Sequence, residues 1–68
     1  MSENPVDPIV IGRSAESFAA AAQNAVTEWE NQRGGPPDDE TTLRVVDMYV
    51  TASTSSVHDY VAVLKSSP

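Results

Sequence analysis

Alanine at positions 19–22 and 25, set between Phe18 and Val26, constrains this fold more than any other feature of the chain. A helix face built of methyl groups lets a neighbouring backbone come closer than a face of leucines would, because the side chains at the contact set the separation. The residues just before it, Ile11-Gly12-Arg13-Ser14-Ala15-Glu16-Ser17, read as the end of a strand, a glycine turn and a serine-capped helix start. The run therefore predicts a helix pressed close onto a sheet. A chain of 68 residues has little else of its own to complete such packing, so the run also points to further copies of the chain.

Ser14 is the expected N-cap, with Glu16 in the first turn, where a negative charge favours the helix dipole. Phe18, Ala22, Ala25 and Trp29 are spaced by four, three and four, the period of an amphipathic helix, and Ala21 and Val26 widen that stripe. Gln23, Thr27, Glu30 and Asn31 make the polar face. Gly34-Gly35 stops the helix, because glycine takes the left-handed C-terminal conformation at least cost, and Pro36-Pro37 forbids continuation.

Upstream, Pro8-Ile9-Val10-Ile11 reads as a first strand ending at Gly12, with Pro8 at its start or on an edge, since it has no amide to donate. Residues 1–7 read as a flexible N-terminal arm. Downstream, Asp38-Asp39-Glu40 lies in an exposed linker, Thr41 to Ala52 is a second strand, Ser53-Thr54-Ser55-Ser56 a polar turn, and Val57 to Leu64 a third strand. The domain spans 8–65, with 66–68 a frayed tail. The fold class is α+β: a single βαββ subunit in which a three-stranded antiparallel sheet of order 1-3-2 wraps one helix. That order follows if strand three, antiparallel to strand two across a short turn, inserts beside strand one.

Counted by simple alternation, strand two puts Arg44, Val46, Met48 and Val50 on one face and Leu43, Val45, Asp47 and Tyr49 on the other. Strand three puts Val57, Val61 and Val63 opposite Tyr60, Ala62 and Leu64. Neither face is wet, whereas an antiparallel sheet with one solvated face alternates apolar and polar. One helix covers one face, so the second is expected to pack on another subunit, since a large exposed apolar patch is a liability. The chain has no cysteine and a single histidine, so no disulfide or thiolate metal site helps a domain this small. Oligomerisation is the remaining staple.

A net charge of −6 argues against nucleic acid and anionic membrane surfaces as partners. No apolar stretch approaches a membrane span of about 20 residues. Met1-Ser2-Glu3-Asn4-Pro5 lacks the basic and apolar segments of a secretory signal, so the expected location is cytoplasmic.

Ile11-Gly12-Arg13-Ser14-Ala15-Glu16-Ser17-Phe18 and the alanines after it resemble the first strand-to-helix segment of dodecins, which carry a Gly-Thr-Ser turn, a Ser-Phe or Ser-Trp pair and an alanine-rich helix. Arg44-Val45-Val46-Asp47 is similar to the Glu-Val-Val-Asp stretch of their second strand, and the βαββ order and chain length agree. The resemblance covers residues 8 to 64. It implies a homododecameric shell that binds and stores a flavin (FMN, riboflavin or FAD). In the family, a Trp early in strand two stacks on the flavin with a symmetry mate completing the sandwich; alignment on Val45-Val46-Asp47 puts Thr42 there. A Gln in strand three that bonds the flavin falls near His58. The expected cofactor-binding set is Thr42, Arg44, Tyr49 and His58, of which Thr42 and His58 come from the resemblance.

Read without the resemblance, Trp29 belongs to the core or an interface, and Tyr49 and Tyr60 are interface residues or a ligand platform at a subunit junction. His58 and Asp59 cannot pair directly, because adjacent strand residues point to opposite faces, but a ligand or pH role stays open to His58. Asp38-Asp39-Glu40 is a solvated loop rather than a cation site, and no serine elbow, phosphate loop or acid pair supports catalysis. The serines from 53 to 56 have no base placed for them by sequence. Three functions therefore remain in view: a dodecin-like flavin store, a structural or interaction oligomer that lost the flavin pocket and binds another ligand or none, and, more remotely, an enzyme with a site between chains. The leading expectation is not an enzyme.

Overall fold

The computed structural model describes residues 9–66. The expected arm at 1–7, Pro8, and Ser67 and Pro68 of the tail lie outside them. The elements run β1 (Ile9–Ser14), α1 (Phe18–Arg33), β2 (Leu43–Ser53) and β3 (Ser56–Ser66). They form one antiparallel sheet of order β1-β3-β2, the βαββ topology expected from sequence. No helix is long and apolar enough to cross a membrane.

The N-terminal half differs from the sequence reading in two connected ways. Strand β1 does not stop at Gly12 but continues through Ser14, pairing Gly12 with Ala62 and Ser14 with Tyr60. The helix is capped by Ser17 rather than Ser14: the Ala20 amide donates to Ser17 Oγ at 3.0 Å, and the Ala21 amide donates to the Ser17 carbonyl. Ser14 Oγ accepts instead from the Glu16 amide, a local serine turn that leads the chain from strand to helix. Both serines had the chemistry of a cap, and the longer strand decides between them. The C-terminus ends as expected, with Gly34 left-handed at φ 92° and the Gly35 amide donating to the Glu30 carbonyl at 2.8 Å. Arg33 folds over the Trp29 ring, 5.1 Å from its centroid, and donates to the Gly35 carbonyl.

Gly12 explains the alanines. A Cβ built there would clash with the Ala21 carbonyl oxygen and the Ala25 amide nitrogen, and would lie 2.8 Å from Ala25 Cα. The helix backbone thus rests directly on the strand backbone. Val10, Ala21, Ala25, Ala62 and Leu64 form the buried core, with Ala22, Val26, Trp29, Leu43 and Tyr60 packed around it. Phe18 meets Tyr60 edge-on with ring centroids 5.0 Å apart. Asn24 Nδ2 adds a bond from the helix to the Arg13 carbonyl at 2.6 Å. The core is thin: of its five members only Val10 and Leu64 exceed alanine.

Strands β2 and β3 are long and irregular at two places. Register shifts fall between Val45 and Asp47 and between Thr51 and Ala52, leaving Val46 and His58 as inserted residues. The turn between them is Thr54-Ser55, both with positive φ (49° and 67°), closed by the Ser53–Ser56 pair. Strand β3 runs through Ser66, which was expected to belong to the frayed tail.

Candidate functional site

Residues opposite one another in an antiparallel pair share a face, so the register fixes both faces of the sheet. The helix side carries Val10 and Gly12 of β1, Tyr60, Ala62 and Leu64 of β3, and Leu43, Val45, Met48 and Val50 of β2. The open side carries Ile9, Ile11 and Arg13, then Val61, Val63 and Lys65, then Arg44, Asp47, Tyr49 and Thr51. The inserted Val46 changes the parity of β2 midway. Simple alternation across it mixed the two faces; with the bulge, the helix-side row of β2 is wholly apolar and its open side carries the polar residues.

The helix covers only part of its own side. It packs on β1 and β3 and barely touches β2. Val45, Met48 and Val50 consequently remain 51%, 49% and 41% exposed although they lie on the helix side. Ile9, Ile11 and Tyr49 are exposed on the open side. Val61 is buried even there, between Arg13 and Tyr49 in the register. Both sides of the sheet thus present uncovered apolar surface, as the sequence implied, and on β2 most of it lies on the helix side.

The four residues of the expected cofactor set do not converge within one chain. Thr42 is exposed and precedes β2; Arg44 and Tyr49 share the open side; His58 lies at the opposite end of the ribbon, beside Ser53. At about 3.3 Å per strand residue, Thr42 and His58 are roughly 30 Å apart. A ligand touching both ends of the set must lie between copies.

His58 has a partner that the sequence did not announce. Its Nε2 lies 2.7 Å from Ser53 Oγ, and His58 is itself the residue inserted at the second bulge. The contact joins a hydroxyl to an imidazole, the geometry of a nucleophile and its base. Both groups are exposed, and among the described residues no other hydrogen bond orients the ring, so the pair forms a latch across the ribbon next to the turn. Only the bulge brings residues 53 and 58 together, and nothing in the local sequence marks a bulge there. Among the described residues, no group of three or more His, Asp or Glu side chains could hold a metal ion. Asp47 Oδ1 accepts from the Met48 amide beside the first bulge.

No protein-family model, curated protein or solved structure matches the chain.

Proposed function

We propose that the protein is a dodecin-like homo-oligomer, a dodecamer if the resemblance holds throughout, that binds and sequesters a flavin (FMN, riboflavin or FAD) between copies in the cytoplasm. Its role is binding rather than catalysis, with the isoalloxazine ring stacked between symmetry-related β2 strands and screened from solvent. The observation that carries this reading is the uncovered row Val45, Met48 and Val50 on the helix side of β2. A thin core beside a long exposed apolar strand is what a subunit of a closed assembly needs and what a monomer of this size cannot sustain. The dispersal of Thr42, Arg44, Tyr49 and His58 along one ribbon supports a site completed by neighbours.

A second reading has its own support: Thr42, at the position of the family's stacking Trp, offers no ring and stands outside the strand. On that reading the same shell is a structural or interaction oligomer with another ligand or none. Light scattering on the purified protein, with an absorption spectrum and a flavin fluorescence titration, separates the two. Flavin storage requires an oligomer mass and quenching at micromolar flavin. An oligomer that stays colourless and quenches nothing leaves the second reading, and a monomer mass removes both.

A further inference from the structure

Three of the chain's four cations lie on the open side of the sheet: Arg13 on β1, Arg44 on β2 and Lys65 on β3. Of the eight acids among the described residues, only Asp47 and Asp59 belong to the strand positions of that side. Among the described residues, that face carries three cations against two acids, on a chain of net charge −6. Arg44 and Lys65 stand directly opposite each other across β2 and β3, an arrangement of like charges that is unfavourable by itself. Neither has a carboxylate partner among the described residues. Ile9 is directly opposite Lys65 on its other side, and exposed Ile11 lies two residues along, so the basic pair borders an apolar surface.

The complementary surface is on the same chain. Asp38, Asp39 and Glu40 are consecutive and exposed, in the loop that runs into β2 four residues before Arg44. None of them pairs with its own Arg44. We propose that the open face docks a second copy of the chain, with Arg44 and Lys65 of one copy meeting Asp38, Asp39 and Glu40 of the other and the isoleucines packed inside that ring of charge. The inference rests on the homo-oligomer proposed above and names the contact that orients it. Loop and basic pair lie at the same end of the sheet, so a two-fold arrangement satisfies both copies reciprocally. An apolar centre with a charged rim is the usual anatomy of such a contact, and the charges set its register more than its strength.

Charge reversal tests this. Light scattering over a dilution series is run on the wild type, on Arg44→Glu/Lys65→Glu, on Asp38→Lys/Asp39→Lys/Glu40→Lys, and on the combination of all five. Every substituted side chain is exposed, and circular dichroism checks that each variant is folded. Each one-sided reversal is expected to raise the dissociation midpoint of the assembly by about tenfold or more, and the combination to restore it. A one-sided reversal that leaves the midpoint unchanged, or a combination that restores nothing, overturns the proposal while the oligomer stands. If reversal at Arg44 and Lys65 leaves the mass intact but abolishes calorimetric binding of inorganic phosphate, the proposal is likewise overturned and the pair belongs to an anionic small molecule. A wild-type monomer removes the oligomer first, and the docking contact with it.

Discussion

Adding one methyl group at Gly12 tests the central packing contact. In Gly12→Ala the new Cβ clashes with the Ala21 carbonyl oxygen and the Ala25 amide nitrogen and lies 2.8 Å from Ala25 Cα. Carbon atoms settle at about 3.5–4.0 Å, so the helix must retreat by roughly 1 Å. Overpacking of this kind costs about 1–3 kcal/mol when side chains can adjust. Here the obstructing atoms are backbone and have no rotamer to change, and the retreat also lifts Ala21 and Ala25 off Ala62 and Leu64. The upper end, about 3 kcal/mol, is therefore the expected loss. At about 4–8 °C per kcal/mol for a domain this small, the melting temperature should fall by about 12–24 °C. Circular dichroism melts at one fixed protein concentration measure this, since assembly itself raises an apparent Tm. Gly34→Ala is the control: no atom lies within 4 Å of its added Cβ, and only the positive φ of 92° opposes it. That costs about 1–2 kcal/mol. A Gly12→Ala protein melting within about 4 °C of wild type, or one as stable as Gly34→Ala, would refute the claim that the two backbones touch.

Two further perturbations separate the local devices. Ser17→Ala removes the oxygen that accepts from the Ala20 amide and should cost about 1 kcal/mol in urea unfolding, whereas Ser14→Ala, which loses only a local turn, should cost less than half of that; equal losses would mean that the helix start is misassigned. Thr54→Asn with Ser55→Gly places residues tolerant of positive φ at the two turn positions and should raise the melting temperature by about 4–8 °C, for roughly 1 kcal/mol gained; an unchanged or lower Tm would show that the turn is not under left-handed strain.

The parts of the fold that sequence made legible are those governed by local chemistry. Gly34-Gly35 after Arg33 could only end a helix, and the spacing from Phe18 to Trp29 named its packed stripe. The strand order followed from the crossover and the short turn once strand three was set beside strand one. Two errors share one cause, a residue whose role is set by a partner distant in sequence. Gly12 looked like a turn glycine because its reason for being glycine, the Ala21–Ala25 backbone, lies on another element. Val46 looked like an ordinary strand residue because a bulge exists only relative to β3, and that single insertion misassigned the faces of β2. The candidate site was less legible still. Ser53 and His58 meet only across the second bulge, and the expected flavin set cannot converge inside one copy.

The sheet contains two mechanical regimes. Opposite Ile9–Ser14 the central strand β3 is flanked on both sides and held from above by α1, but β1 ends opposite Tyr60, and from Thr51 to Asp59 the ribbon is only two strands wide. Two strands alone are marginally stable in water. The outer ribbon, with its left-handed turn and its Ser53–His58 latch, can therefore open without disturbing the Gly12 contact. Any copy or ligand that clasps the ribbon binds only its closed form, so its measured affinity is the intrinsic affinity multiplied by the fraction of time the ribbon is closed. The turn and the latch thereby set how tightly a copy or ligand can be held.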